Sequence, residues 1–214
     1  RLATTFLLPA SIGFLALADP IARLIFGNGA GADDYHFVAW TLMGFAVGLV
    51  PYTVQYLYLR AFYALDNTRT PFLLQIVISG ANALFAVAFV LALDSRSTVA
   101  ARLALAYSVA YWIGAWITHR ALSRRLPGLS GRDTLAHLGR LAVASLPAGL
   151  AAWLVTLGFA STSRVVQALG LAVAAGVAVL LFFFAAKRLG VPETTQLLEA
   201  LRRRSPSLPP DAAE

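Results

Sequence analysis

The chain has 214 residues, of which 59% are hydrophobic and only 13% are charged, whereas soluble domains carry about 25% charged residues. This balance excludes a soluble domain and predicts an integral membrane protein with uncharged runs long enough to cross a bilayer. The net charge of +7 indicates basic cytoplasmic loops and no nucleic-acid partner, and the absence of cysteine excludes disulfides, thiol catalysis and cysteine-bound metals.

Six long apolar runs predict six transmembrane helices, so the predicted fold class is an all-α, polytopic membrane helix bundle. The runs cover residues 2–18, 37–59, 72–93, 99–118, 141–160 and 165–186. The first run is at the short limit for a crossing, and the chain opens with Arg1, without a Met, directly before it. We therefore expect the chain to be part of a longer protein that continues before Arg1.

Polar segments separate these runs. The main ones are an acidic loop before residue 37, a hinge at 60–71, a turn at 94–98 and a basic loop at 119–140. A short helix is expected at 192–204, followed by a proline-rich end. The chain therefore divides into four helices (1–118), the basic loop (119–140), a helix pair (141–186) and a tail (187–214).

The basic residues are distributed unevenly between the two sides of the predicted bundle. Thirteen of the seventeen Lys and Arg residues fall on the side of the hinge, the basic loop and both chain ends. Because cytoplasmic loops carry the excess of positive charge, we place the hinge and both termini of the chain in the cytoplasm.

The apolar runs contain few chemically reactive groups. No acid pair, zinc-type histidine pair or Ser/His arrangement lies within them, which predicts no catalytic residues, no metal and no cofactor. The polar side chains at membrane depth include Gln55, Gln75 and Asn82, which either join helices by hydrogen bonds or line a wet cavity. Arg60, at the end of a run, either extends to the interface or pairs with a phosphate.

Proline and glycine mark places where helices bend or approach each other. Pro9, Pro51 and Pro147 lie inside predicted helices, and Pro71 suits the first turn of a helix; all four are candidate mechanical elements. The spacing Gly44-x-x-x-Gly48 permits close helix packing.

The hinge contains a specific motif. Residues Phe62-Tyr63-Ala64-Leu65-Asp66-Asn67-Thr68-Arg69-Thr70-Pro71 resemble the F-Y-A-x-x-D-x-[RK]-T-P signature of the MurJ/MviN family of lipid II flippases. The chain departs from it at position 67, where Asn replaces Asp, with Asp66 one residue earlier. The segments 8–13 and 20–27 also resemble the ninth helix of this family and the loop that follows it.

The resemblance implies that the six predicted helices are the last six of a fourteen-helix flippase in the bacterial cytoplasmic membrane. Such proteins move the lipid-linked peptidoglycan precursor to the outer leaflet by alternating access, without covalent chemistry. The implied partners are lipid II or a similar polyprenyl-linked glycan and membrane lipids, with Arg60 and Arg69 as candidate headgroup contacts. The family also places a groove for the polyprenyl tail at its last two helices, here 141–160 and 165–186.

Two alternatives remain at this point. The chain could belong to an exporter of another lipid-linked oligosaccharide or a drug, since its first lobe is missing. It could also be a membrane scaffold that binds cell-wall synthesis proteins through the basic loop and the tail.

Overall fold

The computed structural model describes residues 2–29, 32–92, 96–126, 131–159 and 163–189, and this part of the chain consists of helices joined by turns. Its helices are α1 (Leu2–Phe26), α2 (Tyr35–Ala64), α3 (Arg69–Leu91), α4 (Val99–Ser123), α5 (Gly131–Gly158) and α6 (Arg164–Arg188), with a short 3-10 turn at Arg96–Thr98. The all-α prediction is confirmed. The helix expected at 192–204 and the tail after it lie outside the described residues.

Five of these helices are long and apolar enough to cross a membrane: α1, α2, α3, α5 and α6. The fourth predicted span, α4, has 25 residues but falls short in hydrophobicity, because it carries Arg102 and several tyrosines and tryptophans. Its position explains this composition. It packs between α2 and α3, so much of its surface contacts protein.

Helix α1 is longer than its apolar run. The prediction ended the first span at Ala18, before Asp19 and Pro20, but the helix continues to Phe26. Proline costs a helix interior one backbone hydrogen bond. The turn after it nevertheless contributes to the core, since Ala22 is 1% exposed and Ile21 packs against a cluster that includes Leu17. Packing of this turn therefore overrides the helix-ending signal.

The two polar segments on the predicted cytoplasmic side are shorter than expected. Helix α2 continues to Ala64 and α3 begins at Arg69, so four residues rather than 60–71 form the connection. Likewise α4 extends to Ser123 and α5 begins at Gly131, inside the loop predicted at 119–140. Polar residues at these helix ends do not stop the helices, because a helix can continue beyond the apolar layer.

The helices pack in a chain of neighbours. Helix α3 contacts α4, α4 contacts α2, α2 contacts α1, and α1 contacts both α5 and α6. The last two helices also pack tightly against each other, with Leu141, Ala144 and Phe182 buried between them. Helix α1 is thus the element that joins the C-terminal pair to the rest of the bundle.

Candidate functional site

A seam of small residues holds α2 against α4. Gly44 and Gly48 are buried on α2, and a Cβ atom built at Gly44 would lie only 2.8 Å from the Cβ of Ala104. Ser108 on α4 donates a hydrogen bond from its hydroxyl to the backbone oxygen of Gly44, at 2.6 Å. The predicted close approach at Gly44-x-x-x-Gly48 is therefore confirmed, and α4 is the partner helix.

Pro51 lies in the same seam and is fully buried. Because proline has no N–H, the carbonyl four residues earlier, that of Val47, loses its usual helical donor. The indole Nε1 of Trp112 on α4 donates to this oxygen at 3.2 Å. The interruption of α2 is thereby compensated from the neighbouring helix.

Gln55 is buried one turn after Pro51. Its side chain is 1% exposed, and neither its amide nitrogen nor its amide oxygen has a hydrogen-bond partner among the residues that the structure describes. The hydroxyl of Thr118 on α4 is also buried without a partner in this part of the chain. Unpaired polar groups at this depth are unfavourable, so each calls for an explanation beyond simple packing.

The connection between α2 and α3 is an ordered turn. Asp66 has a positive φ of 53°, and the backbone N–H groups of Asp66 and Asn67 donate to the oxygens of Tyr63 and Phe62. This pattern is a Schellman motif that ends α2. The side chain of Asn67 then accepts the backbone N–H of Thr70 and donates to its hydroxyl, which fixes the start of α3.

Arginines surround this turn, at the end of the bundle where α2 and α4 finish and α3 begins. We call Arg60, Arg69, Arg120 and Arg125 the arginine cluster; all four are exposed. Three of them lie against aromatic rings: Arg60 on Tyr56 at 4.7 Å, Arg120 on Trp116 at 3.9 Å, and Arg125 near Phe62 at 5.8 Å. Exposed guanidinium groups can donate charge-assisted hydrogen bonds to anions.

An apolar groove lies on the other side of the bundle, between α1, α5 and α6. Its cavity has a volume of about 280 Å³, and its lining is apolar apart from Ser145. Pro9, Gly13 and Leu17 contribute from α1, facing Val179 and Phe182 of α6 among others. This groove is formed by three helices, and the tail-binding groove expected on the last two helices stays a prediction.

The residues predicted from the sequence fall in separate places. Arg60 and Arg69 lie at the exposed end of the bundle, whereas Gln55 is in the buried seam. Gln75 and Asn82 are half-buried on one side of α3, and neither has a hydrogen-bond partner in the described ranges. The structure therefore does not gather these five side chains into one pocket.

The four prolines also differ in their surroundings. Pro9 lines the groove, Pro51 is in the seam, and Pro71 is buried in the first turn of α3 as expected. Pro147 is inside α5 and exposed.

Several contacts were not visible in the sequence. They include the bond from Trp112 to Val47, the bond from Ser108 to Gly44, and a 2.6 Å bond from the hydroxyl of Ser11 on α1 to the oxygen of Ala46. Pro51 was the available signal, since a proline within a span requires a replacement donor. The sequence does not say which helix provides it.

Comparison with known proteins identifies a family. The family model described as lipid II flippase MurJ matches residues 1–173. A probable lipid II flippase MurJ from Rhizobium meliloti is 30% identical over 146 residues, which are 66% of this chain and 26% of that protein. The protein of the same description from Thermotoga maritima is 37% identical over 76 residues, 35% of this chain and 16% of that protein.

A solved structure supports the same architecture. The chain described as lipid II flippase MurJ in an inward closed conformation matches with a TM-score of 0.64 and 21% sequence identity. The match covers 87% of the present chain and 37% of the solved one. At this identity the likeness shows a shared fold, and the present chain spans well under half the length of the proteins it matches.

Proposed function

This chain belongs to the MurJ family of lipid II flippases, and from that premise we propose that it forms part of the second lobe and the lipid-facing helix pair of a lipid II flippase. The whole protein moves the lipid-linked peptidoglycan precursor from the inner to the outer leaflet of the bacterial cytoplasmic membrane. It does so by alternating access and without covalent catalysis. The helices correspond to the last six of fourteen, with the arginine cluster on the cytoplasmic side.

The apolar groove is the observation that carries this proposal. A polyprenyl tail needs a long surface without hydrogen-bonding groups, and the groove between α1, α5 and α6 offers one of about 280 Å³. Gly13 leaves space in the α1 wall, since a Cβ atom there would meet nothing within 4 Å, whereas Gly149 lets α5 approach α1 closely at Ile12. The tail would lie in this groove during the transfer of the headgroup.

The seam between α2 and α4 supports a movement of helices as units. Close backbone approach and two interhelical hydrogen bonds, from Ser108 and Trp112, tie these helices together. Alternating access requires such units to rock against each other. In our proposal Pro51, Pro9 and Pro147 allow α2, α1 and α5 to bend, and Pro71 lies in the first turn of α3.

The arginine cluster and the buried amide supply candidate headgroup contacts. Arg60 and Arg69 are exposed at the predicted cytoplasmic end, where a diphosphate would first meet the protein, and guanidinium groups bind phosphate oxygens strongly. Neither hydrogen-bonding atom of the Gln55 amide has a partner in the described chain, and Gln75 and Asn82 lie half-buried on α3. In our proposal these amides become satisfied when the lobes close around the headgroup.

A substitution at Gly13 tests the role of the groove. A Cβ atom at Gly13 would meet nothing within 4 Å, so Gly13→Phe in the full-length protein fills the groove without a backbone clash. Gly139→Phe is the matched control, because Gly139 also has open space and does not line the groove. Lipid II translocation would be measured in cells depleted of the native protein.

We expect Gly13→Phe to lower translocation while Gly139→Phe behaves like the wild type. Equal translocation by both variants would show that the groove is not needed for transport. Depletion of the whole protein should also leave lipid II in the inner leaflet. Normal translocation with mislocalised synthases would instead support a scaffold.

A further inference from the structure

A second, smaller pocket lies along the same three helices, beyond the far end of the groove. Its volume is about 90 Å³, and its polar lining residues are Asp19 and Arg23 of α1, Thr156 of α5 and Gln167 of α6. Trp153 and Gly170 also line it, and none of its lining residues is shared with the groove. An acid, a cation and an amide thus face one cavity at the end of the bundle opposite the arginine cluster.

The side chains of Asp19 and Arg23 do not form an ion pair with each other in the described chain. Asp19 and Arg23 are four residues apart on one helix, a spacing at which opposite charges commonly pair. Within the described part of the chain, the guanidinium of Arg23 nevertheless makes no ion pair or hydrogen bond, although its side chain is half-buried. One carboxylate oxygen of Asp19 lies 3.4 Å from the Nδ1 of His36, and the other has no partner among these residues.

The pocket lies near the ends of α1, α5 and α6, the level at which a membrane-spanning helix meets the lipid headgroups. Gln167 is three residues after the start of α6, and Asp19 and Arg23 are in the last third of α1. Large apolar side chains next to the pocket are exposed, including Leu154, Leu157 and Leu169. Their surface would contact acyl chains rather than water.

We propose that this pocket binds the headgroup of a zwitterionic phospholipid of the phosphatidylethanolamine type, with its acyl chains on the exposed surface of α5 and α6. Arg23 contacts the phosphate, and the free carboxylate oxygen of Asp19 contacts the ammonium group. The amide of Gln167 lies in the same cavity. An anionic headgroup without an ammonium group, such as phosphatidylglycerol, would satisfy Arg23 but give Asp19 no opposite charge, so charge complementarity favours the zwitterion.

Native mass spectrometry of the full-length protein would test this proposal. The probes are phosphatidylethanolamine and phosphatidylglycerol with identical acyl chains, and undecaprenyl phosphate as the competitor. We expect wild-type protein to retain phosphatidylethanolamine in preference to phosphatidylglycerol. Arg23→Gln should weaken retention of both phospholipids about tenfold, the effect of losing one charge-assisted hydrogen bond, and Arg23→Lys should restore part of it.

Asp19→Asn should remove the preference between the two phospholipids while keeping phosphate binding. Arg164→Gln is the matched control, since Arg164 is an exposed arginine at the first residue of α6 and does not line the pocket. We expect it to bind both lipids like the wild type. The thermal midpoint of each variant shows whether it is folded, and Arg23→Lys gives a second reading of the site if Arg23→Gln is unstable.

Equal retention of the two phospholipids by wild-type protein, or unchanged retention by Arg23→Gln, would overturn the proposal. Displacement of phosphatidylethanolamine by undecaprenyl phosphate would do so as well, because the pocket would then belong to the transported lipid. The groove-filling variant Gly13→Phe should retain phosphatidylethanolamine normally. The lipid pocket and the transport groove are thus tested separately, and failure of one leaves the other standing.

Discussion

Trp112 on α4 donates a hydrogen bond from its indole nitrogen to the backbone oxygen of Val47 on α2, at 3.2 Å. Val47 is four residues before Pro51, so its oxygen is the acceptor that the proline leaves without a helical donor. The interruption of the α2 hydrogen-bond ladder at Pro51 and the attachment of α2 to α4 therefore meet at the same backbone oxygen. Any movement of α2 relative to α4 must break this bond or replace it.

We expect Trp112→Phe to lower the thermal stability of the full-length protein, with a loss of about 0.6–1 kcal/mol for one interhelical hydrogen bond. Trp116→Phe is the control, since Trp116 is an exposed tryptophan on the same helix that stacks on Arg120. In a Pro51→Ala background the residue at position 51 regains its N–H, so Trp112→Phe should cost less there. Equal costs in both backgrounds would contradict the link between Trp112 and Pro51.

The close packing of the seam predicts that alanine substitutions at two glycines, one inside the seam and one outside it, change stability in opposite directions. A Cβ atom at Gly48 would lie 3.0 Å from the Cα of Ser108, whereas one at Gly80 would meet nothing within 4 Å. Gly48→Ala should therefore destabilise the protein by about 1–3 kcal/mol through overpacking. Gly80→Ala should stabilise it slightly, because alanine favours a helix over glycine by about 1 kcal/mol. Thermal unfolding in detergent would measure both, and a neutral Gly48→Ala would show that the seam is loosely packed.

Asp66 is in the left-handed region, with a φ of 53°, at the position where glycine is usual in a Schellman motif. Asp66→Gly removes this strain and should raise stability by up to about 1 kcal/mol, although the freer unfolded chain offsets part of the gain. Asp66→Val should lower stability, because a β-branched residue is poorly tolerated there. A fall in the unfolding midpoint of Asp66→Gly would indicate that the carboxylate itself makes a needed contact.

A substitution at Gln55 can distinguish a structural role of this side chain from a functional one. Its amide is buried without a partner in the described chain, so Gln55→Leu should leave thermal stability unchanged or increase it. If the amide binds the headgroup in another conformation, the same variant should lower lipid II translocation. Gln75 is a candidate contact in the same proposal, so Gln75→Leu, at a half-buried position on α3, should lower translocation as well. A destabilised but fully active Gln55→Leu would refute the functional role.

Arg60 and Arg120 are a matched pair for testing headgroup contact. Both are exposed, lie at the same end of the bundle and stack on an aromatic ring. We expect Arg60→Gln to lower translocation without changing the unfolding midpoint, and Arg120→Gln to have a smaller effect. Equal losses for both would assign the effect to the overall positive charge of this end rather than to Arg60.

The sequence predicted the number of long helices and their approximate positions, because apolar runs of membrane-spanning length leave few alternatives. The predictions from the sequence were wrong at the ends of helices. Asp19 and Pro20 were interpreted as the end of α1, and Arg60 as the end of α2, yet both helices continue. Charge and proline mark where the apolar layer ends or where a hydrogen bond is lost, and neither prevents a further helical turn that packs well.

The candidate site was predictable only in part. The F-Y-A…T-P motif led to the correct family, and Gly44-x-x-x-Gly48 correctly indicated a close helix contact. That Gln55 is buried and Arg60 exposed depends on which face of α2 meets α4, a matter of three-dimensional packing. The near-uniform hydrophobicity of a membrane helix hides that face, since lipid and protein neighbours both accept apolar side chains.

The sequence by itself therefore determined that the chain is an all-α membrane protein of the MurJ family, because hydrophobic length and one polar motif are local properties. The tertiary structure decided which helices are neighbours. In the folded chain, α1 joins the C-terminal helix pair to the other helices. Trp112 supplies the hydrogen-bond donor for the oxygen of Val47. Asp19, Arg23 and Gln167 line one pocket. Such contacts join residues far apart in the chain, and only the packing of complementary surfaces brings them together.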